Sequence, residues 1–334
     1  MRVFQIQDDW GLSHVRLGTR PDPRPGPGQV LLRMKAAAVN YRDLLVPDRG
    51  YGSHTGTLPL ILLGDGVGEV IECGAGVARV KVGDRVCPCF RQGWIDGPPS
   101  GHSALGGPLD GTMADLMCLP ADGVVKVPAH LSDEEAASLP CAALTAWSAL
   151  MVYDHLEPGA RVLVQGTGGV ALFALQFAKL LGAHVTVISS SDQKIQRARA
   201  LGADAAINYV TTPEWYRATR EITGDAGYDH ILELGGEKTF PQSLMCVRPA
   251  GMISIIGVLS GGTINAQLGR IVLKQARMKG IGVGHRNAFE AMMRAIELHE
   301  LRPVIDRVFA FEELKEALAH LKSGTHFGKV CIRH

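Results

Sequence analysis

The sequence lacks the features that mark several other classes of protein. Its seven cysteines are scattered, odd in number and never spaced as Cys-x-x-Cys, which argues against a disulfide framework and a structural zinc lobe. No apolar run approaches the roughly 18 residues of a membrane-spanning helix. Near the N-terminus, Asp8 and Asp9 stand where a signal peptide would be apolar. A net charge of +1 gives no sign of nucleic acid or an anionic membrane as partner. We therefore expect a cytoplasmic protein that binds neither nucleic acid nor a membrane.

What the sequence does contain is organised around residues 161–179. A short apolar run at its start is typical of a buried parallel strand, and apolar residues recur at helical spacing from Val170 onward. Between them stands Gly166-x-Gly168-x-x-Ala171, in which the first glycine allows a tight turn and the second lets a pyrophosphate approach bare backbone. An ordinary glycine turn is the alternative. The strand–turn–helix context favours a dinucleotide held at the helix N-terminus.

The length of 334 residues suits two domains, and the patterning differs along the chain. Short strands broken by glycines, over residues 30–126, indicate a small barrel-like β domain. From 161 to 258 strands and helices alternate, which predicts a doubly wound parallel sheet. Ser132 and Glu135 form a capping box that predicts the start of a helix. Mixed strands and helices follow the alternating region as far as residue 332.

Motifs along the whole chain resemble those of medium-chain dehydrogenases/reductases, and more narrowly of the zinc-free quinone oxidoreductases. They include Ala-Ala-Val-Asn-Tyr-Arg-Asp ending at Asp43, Gly-Asp-Gly-Val-Gly beginning at Gly64, and segments 139–147, 161–179, 200–209 and 327–330. The resemblance implies an α/β protein in which a Rossmann doubly wound parallel sheet is inserted in a GroES-like β-barrel catalytic domain. The implied boundaries are 1–127 plus 269–334 for the catalytic domain and 128–268 for the Rossmann domain. It also implies an active site in the cleft between the domains and a homodimer or homotetramer, for which the apolar strand 251–258 would suit edge pairing.

The family's zinc enzymes take three protein ligands, and this chain departs from the pattern at two of them. Asn40 stands where the first cysteine is expected, and Leu63-Gly64-Asp65 replaces Gly-His-Glu; only Cys141 is kept. One ligand of three does not hold a catalytic zinc, so we expect no metal. Without a Lewis acid an alkoxide is not stabilised, which favours reduction of an activated acceptor. The expected substrate is a quinone or an α,β-unsaturated carbonyl.

The end of the second predicted Rossmann strand bears on the choice of cofactor. NAD-specific folds place an acid there, whereas this chain has a run of serines at 189–191. The resemblance to NADPH-dependent quinone oxidoreductases implies phosphate contacts from Ser189, Ser190, Lys194 and Tyr209. Alternatively, Ser191 only caps the next helix, Lys194 is solvated, and Asp192 binds the ribose of NADH. We expect NADPH, with NADH possible.

The remaining candidate cofactor residues come from the resemblance. It implies that Thr145 lies near the nicotinamide and that the segments around residues 257 and 282 present backbone to it. It further implies that the chain near residue 328 closes over the cofactor. The full candidate set outside the 189–209 region is Thr145, Gly166, Gly168, Gly169, Val170, Gly257, Val258, Ile281, Val283, Phe327 and Lys329.

The catalytic residues are the hardest to assign from sequence. By the resemblance, Asn40 and Tyr41 face the reacting carbonyl. Asn40 can donate a hydrogen bond to the oxygen on which charge develops, whereas Tyr41 is either a proton donor or an apolar wall. Asp43 and Asp65 are interpreted as orienting groups. Two other functions stay open: an NAD(P)-dependent alcohol dehydrogenase or carbonyl reductase, and a crystallin-like NADPH-binding protein with little turnover.

Overall fold

The computed structural model describes residues 1–99, 101 and 103–334. The chain forms two compact units, each with its own hydrophobic core. We call them the catalytic unit, Met1–Leu144 with Gly284–His334, and the nucleotide unit, Thr145–Val283. The catalytic unit is thus built from both ends of the chain, with the nucleotide unit inserted between them.

The catalytic unit is mainly β-structure. Its strands, numbered in chain order, are β1 (Arg2–Ile6), β2 (Val15–Thr19), β3 (Gln29–Val39), β4 (Leu60–Ile61), β5 (Asp65–Cys73), β6 (Arg85–Pro88), β7 (Leu116–Pro120), β8 (Val124–Lys126), β15 (Ile305–Ala310) and β16 (Lys329–Arg333). A three-stranded sheet has the order β2-β1-β4, and a seven-stranded sheet has the order β15-β16-β3-β5-β6-β8, with β7 also paired to β3. The helices of this unit are α1 (Arg42–Leu45), α2 (Asp133–Ala137), α9 (Arg286–Leu298) and α10 (Leu314–Lys322).

The nucleotide unit is a six-stranded parallel sheet with helices between the strands. Its strands are β9 (Arg161–Gln165), β10 (His184–Ser189), β11 (Ala205–Asn208), β12 (Tyr228–Glu233), β13 (Val247–Ile255) and β14 (Arg277–Gly280). Its helices are α4 (Gly169–Leu180), α5 (Asp192–Ala200), α6 (Trp215–Ile222), α7 (Phe240–Cys246) and α8 (Leu268–Lys274), while α3 (Leu144–Trp147) spans the unit boundary. The order β11-β10-β9-β12-β13-β14 is the doubly wound Rossmann order, and it reverses direction between β9 and β12. The predicted α/β fold class is therefore confirmed.

Both unit boundaries lie further along the chain than the predicted 127/128 and 268/269. A helix after the first predicted boundary packs on the catalytic unit, and a strand after the second joins the sheet of the nucleotide unit. The capping-box helix α2 stays with the catalytic unit: Asp133 pairs with Arg85 at 2.7 Å, and Cys87 Sγ lies 3.2 Å from the carbonyl of Ala136. Strand β14 pairs with β13 and so belongs to the nucleotide unit. Its presence also corrects the expectation for 251–258, since β13 lies between two strands and β14 forms the edge.

Helix α4 shows how the local sequence produces the site. Its apolar positions are buried on the sheet, including Phe173 and Phe177, whose rings stack at 6.0 Å. Trp147 meets Phe177 edge-on at 5.4 Å, a contact of a kind worth about 0.5–1.5 kcal/mol beyond its buried area. This packing holds the start of α4 at the carboxyl end of β9. Among the described residues, no helix combines the length and the apolarity needed to cross a membrane.

Candidate active site and nucleotide site

Three neighbouring strands of the catalytic unit bring three polar side chains together. Asn40 directly follows β3, Asp65 begins β5 and Lys329 begins β16. The registers Ala38–Asp65 and Val39–Val330 set these strand ends side by side. Asp65 is fully buried and Lys329 is 3% exposed, while Asn40 is partly exposed. The sheet pairing therefore assembles a polar cluster from residues far apart in sequence.

Hydrogen bonds fix the geometry of this Asn40 cluster. The Lys329 ammonium donates to Val39 O at 3.0 Å, to Asn40 Oδ1 at 2.7 Å and to Asp65 Oδ2 at 3.3 Å. Asn40 Nδ2 donates to the same Asp65 oxygen at 2.8 Å. Because an ammonium only donates and a carboxylate only accepts, the amide of Asn40 has a single orientation compatible with both. The second hydrogen on Nδ2 is not used by these contacts and can serve another acceptor.

Two buried carboxyl groups share the cluster. Asp43 accepts the backbone N–H of Asn40 at 2.8 Å and lies 3.7 Å from the guanidinium of Arg42. Burial raises the pKa of Asp43 to about 6, although Arg42 opposes the shift. Burial also raises the pKa of Asp65, against the attraction of Lys329. The second oxygen of each carboxylate has no hydrogen-bond partner among the described residues. Two acids and two cations thus balance one another inside the protein.

Arg42 forms the rim of the cluster and is held by backbone carbonyls. Its guanidinium donates to Leu105 O and to Gly107 O, both at 2.9 Å. The same group lies 5.0 Å from the ring centroid of Phe90 and 5.6 Å from that of Tyr51. These contacts fix Arg42 in one orientation and place two aromatic rings beside it.

Tyr41 has a different environment from its neighbour Asn40. It precedes α1, and its side chain is 46% exposed. An exposed phenol can reach a bound substrate or solvent, so both predicted roles, proton donor and apolar wall, stay predictions.

The residues at the expected zinc position do not fit a three-ligand site. A Cβ atom on Gly64 would lie 2.6 Å from the ring of Phe90 and 2.9 Å from Leu105 O, so a histidine there requires both neighbours to move. The oxygen of Asn40 is taken by an ammonium group. Burial raises the pKa of the Cys141 thiol, whereas a metal needs the thiolate. Across residues 1–99, 101 and 103–334, no three His, Cys, Asp or Glu side chains are grouped as metal ligands.

In the nucleotide unit, the turn after β9 has the geometry of an anion site. Gly166 has φ +79°, a conformation that favours glycine, and Gly168 is the N-cap of α4. Gly168 has no side chain to cap the helix, so the first-turn N–H groups, beginning with Gly169 and Val170, are available to a ligand. The turn lies where the strand order reverses, which is where ligands bind in open α/β sheets.

The start of α5 gives the contacts of two residues after β10, Ser191 and Asp192. Ser191 is the N-cap, and its Oγ accepts the backbone N–H of Lys194 at 3.4 Å, so the capping interpretation of Ser191 is correct. Asp192 accepts from Asn208 Nδ2 at 2.8 Å. One carboxylate oxygen of Asp192 is therefore engaged within the protein.

The other residues proposed for the 2′-phosphate differ in exposure. Ser189, the last residue of β10, is 2% exposed, whereas Ser190 is exposed and Tyr209 is 41% exposed. The backbone N–H of Tyr209 donates to Ser189 O at 3.0 Å, which joins the ends of β10 and β11. Ser190 and Tyr209 are therefore accessible to solvent, whereas Ser189 is buried at the strand ends.

The structure divides the remaining candidate cofactor residues between the two units. The nucleotide unit contains Thr145, Gly257, Val258, Ile281 and Val283, of which Val258 is 53% exposed and Thr145, Ile281 and Val283 are buried. The catalytic unit contains Phe327 and Lys329. Phe327 is buried, and the ammonium of Lys329 has its three hydrogens on the Asn40 cluster. Cofactor contacts from all seven stay predictions.

Sequence reasoning missed a buried network at the end of β12. Glu233 is fully buried, and its carboxylate accepts five hydrogen bonds from neutral donors. The donors are Gly235 N, Gly236 N, Thr239 Oγ1, Gln165 Nε2 and Ser243 Oγ. Gln165 Oε1 in turn accepts the N–H groups of Leu234 and Gly235. The signal in the sequence is an acid directly after the apolar pair Ile231-Leu232, at the end of β12.

Comparison with known proteins identifies similar chains over nearly the full length. Residues 26–129 match the model of the alcohol dehydrogenase GroES-like domain, and residues 169–297 match the model of the zinc-binding dehydrogenases. A zinc-type alcohol dehydrogenase-like protein of Schizosaccharomyces pombe is 45% identical over 316 residues, which cover 92% of this chain and 91% of the relative.

Solved structures agree with this assignment. A protein from Sinorhizobium meliloti 1021, provisionally named an alcohol dehydrogenase, is 43% identical with a TM-score of 0.94, covering 100% of this chain and 98% of that one. A structure named as an NAD-dependent alcohol dehydrogenase is 32% identical with a TM-score of 0.92 and covers both chains fully. The GroES-like domain and the Rossmann sheet predicted from the sequence are thereby confirmed.

Proposed function

Because the chain belongs to the zinc-type alcohol dehydrogenase family of medium-chain dehydrogenases/reductases, it is an oxidoreductase, and we propose a narrower activity within that class. The proposed reaction is NADPH-dependent, zinc-independent reduction of a quinone or an α,β-unsaturated carbonyl. The Asn40 cluster binds the acceptor oxygen, and the nucleotide unit binds the cofactor. The quinone oxidoreductase-like character suggested by the sequence is part of this proposal.

One observation supports the proposal above the others: the Asn40 amide is held in one orientation by Lys329 and Asp65, at a position where a metal set does not fit. Its remaining Nδ2 hydrogen can donate to an acceptor oxygen as negative charge develops there. When bound, the reduced nicotinamide supplies a hydride, so two electrons and one hydrogen pass to the acceptor carbon. The balancing proton comes from Tyr41 or from water. An amide donor is weaker than a metal, which suits acceptors that are already electron-poor.

The preference for NADPH is supported by the surroundings of the β10 end. Ser190 and Tyr209 are exposed, and one carboxylate oxygen of Asp192 is engaged by Asn208. Hydroxyl groups can donate to a 2′-phosphate, whereas a ribose diol is best bound by an unengaged carboxylate. Since one relative is named as NAD-dependent, NADH is the competing cofactor. A kcat/KM for NADH equal to or above that for NADPH would contradict this part of the proposal.

Removal of metal tests the zinc-independent mechanism. We expect chelator treatment followed by desalting to leave kcat/KM unchanged for reduction of a quinone and an enal with NADPH, because the described residues contain no group of three His, Cys, Asp or Glu side chains that could hold a metal ion. Metal content and steady-state rates are measured on the same sample before and after treatment. Stoichiometric zinc, with activity that is lost on chelation and restored by zinc, would overturn the mechanism.

The names of the relatives favour one other function, oxidation of a simple alcohol. Assays of alcohols with NADP⁺ and NAD⁺, run beside the acceptor panel, separate the two by their kcat/KM values. Binding of NADPH without turnover on either panel would instead favour the crystallin-like alternative. The cytoplasmic location stays a prediction.

We further propose that the protein is a homodimer joined through the edge of the nucleotide-unit sheet. All four residues of β14 are exposed, and α8 exposes Leu268, Val272 and Leu273 by 72%, 71% and 85%. Charged side chains on an edge strand usually oppose pairing with another strand. The two cations of β14 are engaged within their own chain, because Arg277 pairs with Asp154 at 2.6 Å and Lys279 lies over the ring of Tyr153. An antiparallel copy of β14 would extend the sheet and cover the apolar side chains.

A charge on α8 tests the dimer. We expect Leu273→Glu to shift the protein from dimer to monomer in analytical ultracentrifugation, because a buried carboxylate would face the partner's apolar side chains. Leu298→Glu is the matched control, since Leu298 is 78% exposed on α9 in the catalytic unit. Unchanged sedimentation of Leu273→Glu, or a wild-type monomer, would contradict this interface.

A further inference from the structure

We propose that Lys329 is a positioning residue for reduction: its buried ammonium orients and polarises the Asn40 amide that binds the acceptor oxygen. This inference rests on the proposed function and adds a role that differs from the cofactor contact expected from the family resemblance. In this proposal, the positive charge beside the acceptor oxygen comes from the Lys329 ammonium and not from a metal ion.

The position of Lys329 does not favour a simple reach toward a ligand phosphate. Its side chain is 3% exposed, and its three hydrogens go to Val39 O, Asn40 Oδ1 and Asp65 Oδ2. A fourth acceptor requires one of these bonds to break inside a low-dielectric environment, where an unpaired charge or carbonyl is costly. The ammonium is therefore committed to the Asn40 cluster.

The chemistry of an amide explains how Lys329 acts through Asn40. A positive charge 2.7 Å from Oδ1 draws electron density from the amide nitrogen, which makes the Nδ2 hydrogens stronger donors. Asp65 takes one of those hydrogens at 2.8 Å and so fixes the plane of the amide. The other hydrogen then has a fixed direction and increased polarity. Lys329 and Asp65 together prepare a single N–H donor for the acceptor oxygen.

The test must separate polarisation from a structural role. Lys329→Met alone leaves the buried carboxylate of Asp65 without its cation and can prevent folding. The double variant Lys329→Met/Asp65→Asn removes both charges and keeps an oxygen that accepts from Asn40. Its reference is Asp65→Asn, which retains the ammonium. Lys329→Arg retains the charge with a different shape and serves as the conservative variant.

We expect the double variant to bind NADPH with the same Kd as Asp65→Asn in fluorescence titration, while kcat falls by about ten- to hundredfold, less than the loss of a direct oxyanion donor. Lys329→Arg should retain more turnover than the double variant. A raised Kd for NADPH with unchanged kcat would assign Lys329 to the cofactor instead. Equal kcat values for the double variant and its reference would also overturn the inference.

A spectroscopic measurement decides the inference even without turnover. In ¹⁵N-labelled protein, the side-chain amide protons of Asn40 should resonate further upfield in the double variant than in Asp65→Asn, because the ammonium no longer polarises them. Identical shifts would refute polarisation by Lys329. If wild type binds NADPH but reduces no acceptor, the proposed function fails, and the Asn40 shift still decides whether Lys329 polarises the amide.

Discussion

A Glu233→Gln variant is expected to lose about 3 kcal/mol of unfolding free energy, because it replaces an acceptor by a donor in a fully buried network. One oxygen of Glu233 faces the backbone N–H groups of Gly235 and Gly236 at 3.0 and 2.9 Å, which cannot turn away. The other faces Gln165 Nε2 at 2.8 Å. Gln165 cannot turn either, since its oxygen accepts the N–H of Leu234 at 3.0 Å. Either orientation of the new amide therefore sets donor against donor.

Exchange of the two side chains supplies a rescue for this prediction. In Glu233→Gln/Gln165→Glu, the amide at 233 can donate to the carboxylate at 165, which still accepts the backbone N–H groups. We expect the double variant to recover much of the lost stability, measured as the coupling energy of a double-mutant cycle in denaturant unfolding. Glu221→Gln, on the exposed face of α6, should change stability by less than about 0.5 kcal/mol. A Glu233→Gln variant as stable as that control would show that the network contributes little.

The same network shows why part of the nucleotide site was predictable and part was not. The turn after β9 has a local pattern, glycines between an apolar strand and a largely apolar helix, and local sequence determines it. Glu233 and Gln165 meet because β9 and β12 are neighbours in the sheet, although they are far apart in the chain. Alternation of strands and helices predicts a parallel sheet but does not predict which side chains meet at the strand ends.

In the catalytic unit too, the sequence does not predict which side chains meet at the strand ends. Asn40 and Asp65 lie 25 residues apart and Lys329 lies 264 residues after Asp65, and the pairing of β3 with β5 and β16 brings these strand ends together. The family resemblance predicted a role for each residue separately, and for Lys329 it predicted a cofactor contact. Helix α8 was missed for another reason: its seven residues, Leu268–Lys274, are too few to show a clear helical repeat of apolar positions.

An Asn40→Ala variant is expected to reduce kcat by about 10²- to 10³-fold, the usual cost of removing one donor to a developing oxyanion. The loss should appear in kcat, with the Kd for NADPH unchanged, because the Asn40 side chain lies in the catalytic unit among Lys329 and Asp65. Steady-state kinetics with a quinone and an enal, together with fluorescence titration of NADPH, measure both quantities.

A matched control separates this effect from the general cost of deleting an amide. Asn287 is exposed at the start of α9 and donates to Asp96 at 3.1 Å, so Asn287→Ala should retain wild-type kcat. Asn40→Asp is the second comparison: it keeps the side-chain size and an oxygen for Lys329 but removes the Nδ2 hydrogens and places a carboxylate beside Asp65. If Asn40 acts as a donor, Asn40→Asp should be at least as impaired as Asn40→Ala. If Asn40→Asp were active while Asn40→Ala was not, the side chain would serve mainly to hold Lys329, and the acceptor oxygen would have to be polarised by another group.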